Sequence, residues 1–239
     1  MKPYMLKMTA RRILFGKWAR AVVMSAFLSL LSFGISSILT PFTGQTSTRL
    51  LVLGAAIALI LELLTQVFRA GMISYFLKTA RGEDAPFSEF IAGFRMQPDR
   101  FLIVGLVEYA VLLLLGLPCA GILWLLRSSR TVLIAAALLL GLLAGVLFAV
   151  FKVRIALSVF LLVDDPELGA AGSLRESSER MRGSCLRYVR LHLSFLGWYA
   201  LELLSMGMCS FWIQPYVMET CCVFYMDLMH EVPKLDGTV

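Results

Sequence analysis

Long apolar runs separated by short basic segments dominate the chain. No charged residue occurs from Ala21 to Thr48, and further apolar runs cover about 50–77, 101–126, 131–151, 188–206 and 210–229. A helix of about 20 apolar residues crosses a hydrocarbon core of about 30 Å. The pattern therefore predicts an all-α fold, a polytopic transmembrane helix bundle of six spans at 19–40, 50–77, 101–126, 131–151, 188–206 and 210–229. These spans form one integral membrane domain over 1–239. Pro41 is expected to end the first span and Pro118 to bend the third, while a break at Gly207 separates the last two. A basic stretch ahead of an apolar one also describes a signal peptide. No small-x-small cleavage pattern follows it, so the first span is expected to be retained.

Between the apolar runs lie three segments with helical periodicity. Leu6, Ala10, Ile13, Leu14 and Trp18 repeat at three and four residues within 3–20, beside six Lys and Arg. Phe87, Phe90, Ile91 and Phe94 do the same within 86–100. In 166–187 the stripe is Leu168, Ala171, Leu174, Ser178, Met181 and Cys185, with Asp165 and Pro166 written as N-cap and first residue. Each is expected to be an amphipathic interfacial helix on the cytoplasmic side. GKWAR, GFRMQPDR and GSCLRYVR each set a glycine and then an arginine ahead of an odd-numbered span. Three related hairpins or convergent membrane-insertion chemistry would both give this. Gly141 and Gly145 form a small-xxx-small pattern suited to close helix contact.

Composition strengthens the membrane reading. Of 239 residues 59% are hydrophobic and 16% charged, against about 25% charged in soluble domains. The net charge of +6 falls beside the apolar runs, which points to anionic lipid headgroups as partners and not to nucleic acid. Nineteen of the 22 Lys and Arg lie in segments that share one side if the N-terminus is cytoplasmic; only Arg49, Arg127 and Arg130 lie opposite. That asymmetry predicts a multi-pass protein of the cell membrane with both termini in the cytoplasm. The five cysteines include no CxxC and sit mostly in apolar runs, so neither a disulfide framework nor a zinc site is expected.

Candidate chemistry rests on charges inside the spans: Glu62, Arg69, Glu108, Glu202 and Glu219. A charge at bilayer depth costs about 2.5–3.5 kcal/mol even on insertion scales. Such residues form either a polar pathway, with proton-coupled carboxylates, or structural pairs inside the bundle. Asp164-Asp165 lacks the second acidic cluster that a magnesium site would need, and Asp165 reads as a helix cap. His192 and His230 have no ligand-spaced companions, and no GxSxG, P-loop or GxGxxG occurs. No catalytic site, metal or cofactor is expected. Three function classes are left: transport or lipid handling through buried carboxylates, a non-catalytic membrane scaffold acting through its basic surface helices, and, ranked last because no catalytic constellation can be assembled, a membrane enzyme acting on lipid headgroups.

The stretch from Ser178 to Tyr225 carries a more specific pattern. Ser178, Met181 and Gly183 precede a block of Leu193, Ser194, Phe195, Gly197 and Trp198, followed by Gly207, Pro215-Tyr216 and Phe224-Tyr225. This resembles a bacterial family of integral membrane proteins designated domain of unknown function 975, and RRILFGKWARAV and AGMISYFLKTARGE resemble it too. Cys185, Val189 and Cys209 depart from that pattern. The resemblance implies a polytopic membrane protein and brings no established activity.

Overall fold

The computed structural model describes residues 2–43, 48–125, 130–165 and 167–233, with the side chains of 35–43, 48, 51, 124–125 and 130–131 excepted. The regular structure among them is helical. α1 (Pro3–Leu14) begins on a proline and buries Leu6, Ala10, Ile13 and Leu14, the stripe expected from the spacing. Arg11 and Arg12 in its last turn complement the carbonyl end. Gly16 then adopts φ +81°, and the axis swings by 104° into α2 (Trp18–Thr43). A residue in the left-handed region ends a helix, so the interfacial helix expected over 3–20 stops at Leu14.

α2 continues past the proline at 41, which does not end it. α3 (Thr48–Ala80) is a 33-residue helix, and α5 (Pro98–Leu125) runs unbroken through Pro118. α6 (Arg130–Arg154) joins the short α7 (Ser158–Asp164). Ser177 stabilises that joint: its Oγ donates to the Arg154 carbonyl (2.9 Å) and accepts from the Leu157 N–H (3.1 Å). Three segments are long and apolar enough to cross a membrane: Val52–Ala80, Pro98–Leu123 and Val132–Asp164. The bent pair α1–α2 adds a fourth if it counts as one crossing. Among the described residues nothing packs within 4 Å of where a Cβ would sit on Gly141 or Gly145, so that pair brings none of the described helices close.

The helical bundle stands, but six spans are not reached among the described residues. The run at 188–206 is divided into α9 (Cys185–Leu193) and α10 (Leu196–Leu204), nine residues each. Arg187, Arg190 and His192 make α9 amphipathic, which fits an interface better than a hydrocarbon core. Met206 (φ +53°) and Gly207 (φ +87°) then break the chain ahead of α11 (Ser210–Leu228), whose 19 residues include Gln214, Glu219 and Asp227.

The other two expected surface helices also change form. Over 86–100 the chain makes a 3-10 turn (Phe87–Ile91), the single-turn α4 (Ala92–Arg95) and a left-handed Gln97. The cause is backbone contact with α3. A Cβ on Gly71 would lie 2.1 Å from the Phe90 carbonyl oxygen, and one on Gly93 would lie 2.1 Å from that of Val67. Phe68 packs between Phe90 (5.3 Å) and Phe94 (4.9 Å) above this contact. In the third segment α8 (Ala170–Arg180) starts after Gly169, and Asp165 is the C-cap of α7. The Asp165 carboxylate instead accepts from the Glu167 N–H (3.0 Å). The most buried face of α8 is Ala170, Ser173 and Ser177, continued by Met181, with Leu168, Leu174 and Cys185 of the expected stripe partly buried against the core beside it. Gly183 (φ +82°) repeats the turn seen at Gly16, whereas Gly93 serves as a contact surface, so the three glycine-arginine segments are not equivalent.

The core gathers at one end, where α1, the second half of α3, α7 and α11 bury Leu6, Leu14, Tyr75, Phe76, Leu161, Phe224 and Tyr225. At the other end the helices expose aliphatic side chains: Leu138, Leu139 and Leu142 of α6 are about 70% exposed.

Candidate functional site

Between these two ends lies a cavity of about 940 Å³, walled by α2, α3, α5, α6, α7, α9, α10 and α11. α3 contributes Thr65, Gln66, Arg69, Met72 and Ile73, which the 3.6-residue repeat places on one helix face. Gly105 lets α5 approach α3 closely, since a Cβ there would meet the Gln66 side chain at 3.2 Å. One turn further on, Glu108 accepts a charge-assisted bond from Lys152 of α6 at 2.7 Å.

The opposite wall is polar in another way. His192 Nδ1 lies 3.1 Å from the Tyr199 hydroxyl, and its Nε2 lies 3.9 Å from Cys221 Sγ. The Tyr188 ring packs on the imidazole at 4.6 Å. Glu202 follows Tyr199 by three residues on α10 and also lines the cavity. Among the described residues, neither Arg69 nor Glu202 has an ion pair or a side-chain hydrogen bond. Ser29 Oγ, on the α2 wall, is buried without a partner.

Of the five charged candidates, the structure thus brings Arg69, Glu108 and Glu202 to one cavity. Glu62 is not on its lining and lies beside Tyr109. Glu219 is fully buried elsewhere, and neither of its carboxylate oxygens has a hydrogen-bond partner among the described residues. Lys152, Tyr199 and Gln66 were not singled out by sequence. Lys152 reads as one more basic residue at a span end, and only its depth relative to Glu108, counted from Arg100 and Arg154, could have suggested a pair.

Asp164 has a structural role distinct from metal binding. Arg81 bonds Asp164 (2.6 Å) and, through two nitrogens, both oxygens of Glu231 (3.0 Å each), while the Tyr225 hydroxyl donates to Asp164 (2.8 Å). This clasp ties α3, α7 and α11 together. Nearby, Arg187 pairs with Asp227 at 2.5 Å. On the turn after α3, Lys78 (2.8 Å) and Ser74 (3.0 Å) bond Glu89. Burial alone would raise the Glu89 carboxyl, but these two bonds outweigh it and hold the group below its usual range.

The motif residues mostly build the seat of α1. Lys7 Nζ lies 3.8 Å over the Phe195 ring and donates to the Ser194 carbonyl. Burial, with Arg11 nearby, pushes the Lys7 ammonium below its ordinary value. Phe195 meets Tyr216 edge-on at 5.3 Å, and Tyr216 also meets Trp198 at 6.2 Å. Met181, Pro215, Phe224 and Tyr225 are buried, Gly183 and Gly207 hold left-handed turns, and a Cβ on Gly197 would meet open space among the described residues. Nothing among curated proteins or solved structures matches the chain. The family described as "Protein of unknown function (DUF975)" matches residues 1–231, nearly the whole chain, and the protein belongs to it.

Proposed function

We propose that this chain is a multi-pass membrane protein that takes an amphipathic ligand into the cavity and serves transport or lipid handling there. The observation that carries this reading is the convergence of Arg69, Glu108 and Glu202, from three separate helices, on one cavity with otherwise largely apolar walls. Charges are costly at bilayer depth, so the four on this surface, Lys152 included, each need a use or a counter-charge. Arg69 precedes Lys78 by nine residues, or about 14 Å of helix, which places it within the hydrocarbon thickness. The exposed leucines of α6 face lipid in this arrangement. The basic asymmetry sets both termini in the cytoplasm of a cell-membrane protein, with α1 against anionic headgroups.

A scaffold reading draws on the Glu108–Lys152 pair, which neutralises one candidate internally. The two readings separate in a deletion strain whose lipids and metabolites are profiled after complementation. The wild-type gene is expected to restore the profile and the Glu108→Gln, Glu202→Gln double variant to fail while inserting and folding normally. Full restoration by that variant would leave the scaffold reading.

A further inference from the structure

We infer that the cavity's ligand is a zwitterionic amphiphile, with an oxyanion held by Arg69, an ammonium held by Glu202 and an aliphatic tail along the apolar wall. This rests on the cavity being a ligand site. The charge pattern of the lining is what selects the ligand. Glu108 and Lys152 satisfy each other at 2.7 Å and leave no net charge. Arg69 on α3 and Glu202 on α10 line the same cavity from different walls, and among the described residues neither is paired. Both side chains are part-buried, and at bilayer depth an unpaired charge is costly until a counter-charge arrives. A purely anionic ligand would satisfy Arg69 and meet repulsion at Glu202; a purely cationic one would do the reverse. A molecule with both charges satisfies both walls. Ser29 Oγ, buried on the same lining and without a partner, offers a further hydrogen bond. Leu28, Ile73, Val153, Leu193 and Ile213 supply apolar wall. A volume of about 940 Å³ is at the upper end of small-molecule pockets and holds a headgroup with part of a chain.

The test uses the full chain in detergent and radiolabelled lysophosphatidylethanolamine as the probe. Unlabelled competitors are the same lipid, lysophosphatidylglycerol (anion only), an alkylammonium of equal tail (cation only) and phosphoethanolamine (both charges, no tail). The zwitterionic lipid is expected to compete about tenfold or more better than the other three, as befits charge-assisted bonds gained at both ends. Arg69→Gln should level it with the alkylammonium, Glu202→Gln should level it with lysophosphatidylglycerol, and Arg69→Lys should retain most of the preference. Equal competition by lysophosphatidylglycerol or the alkylammonium in the wild type overturns the zwitterion while leaving the cavity as a ligand site. Equal competition by phosphoethanolamine overturns the amphiphile. Absence of saturable binding by labelled lysophosphatidylethanolamine overturns this inference, and absence of saturable binding by labelled lysophosphatidylglycerol and labelled alkylammonium as well overturns the ligand-site reading with it. The wild-type competition decides the matter even if a variant fails to fold.

Discussion

Around Arg81, just past the end of α3, the charged groups have counter-charges within bonding distance, whereas Arg69, earlier on α3, and Glu202 face a cavity with none among the described residues. Arg81 meets Asp164 and Glu231, and Asp164 also accepts from Tyr225, so a partly buried cluster is satisfied on every side. The packing differs in the same sense. The packing also varies along the bundle: Gly71, two residues from Arg69, and Gly93 make close backbone contact, and the core closes around Tyr75 and Phe76 toward Arg81, while on α6 the space at Gly141 and Gly145 is open among the described residues and leucines stand exposed. One end is therefore built to hold its shape. The other leaves polar groups and apolar surface for something outside the chain. A single helix, α3, thus serves as cavity wall over 65–73 and as core over 75–80.

Several substitutions would sharpen or break this contrast. The largest effect is expected from Gly71→Leu. Even a Cβ there would fall 2.1 Å from the Phe90 carbonyl oxygen, so the 3-10 turn and α4 must leave α3. A loss of about 4 kcal/mol or failure to fold is expected, on the scale of severe overpacking. Thermal unfolding in detergent measures it, and a near-normal midpoint would mean the close contact is not held in solution.

Next comes Arg81→Met, which leaves Asp164 and Glu231 facing each other without their cation. The cluster is only partly buried, so a loss of about 2 kcal/mol is expected, below the range for fully buried pairs. Tyr225→Phe should cost less, since it removes one hydrogen bond to Asp164. If Arg81→Met unfolds like the wild type, the clasp is ornamental and the contrast between the two ends fails.

A smaller, pH-dependent effect belongs to Glu89. Its carboxyl is depressed in the folded protein, chiefly by Lys78 and Ser74 acting against burial. The stabilisation is therefore fully present above the ordinary glutamate value of about 4.3 and is lost as pH falls through the lower folded value. With Lys78 partly exposed, about 0.5–1 kcal/mol is at stake. Unfolding midpoints of wild type and Glu89→Gln should converge as the pH is lowered through that window. Parallel curves would remove the ion pair from the account.

The smallest change is expected at the opposite end. Gly141→Ala meets open space in the middle of a helix, so stability should stay level or rise by up to about 1 kcal/mol. A marked loss would reveal a partner packed against α6.

Much of the fold was legible in local pattern. The stripe of α1, the four long apolar helices, the break at Gly207 and the membrane-suited composition all follow from spacing and residue type, because helix periodicity and the approximate length of an apolar run are properties of a single segment. Segments whose form depends on a neighbour were not legible. Phe87 to Phe94 shows a helical period, yet it folds as a 3-10 turn and one helical turn, because Gly71 and Gly93 let two backbones meet. Asp165-Pro166 has the wording of a helix start, yet Asp165 closes α7, because the small-residue face of α8 begins only at Ala170. The charged candidates show the same limit. Position within apolar runs is enough to show that Arg69, Glu108, Glu202 and Glu219 need partners. Which partner each has depends on how the helices pack: Lys152 for Glu108, a shared cavity for Arg69 and Glu202, and, among the described residues, full burial without a hydrogen-bond partner but within electrostatic reach of Lys17 for Glu219. Pairing across helices depends on their rotation and relative height, which packing sets and no one segment encodes.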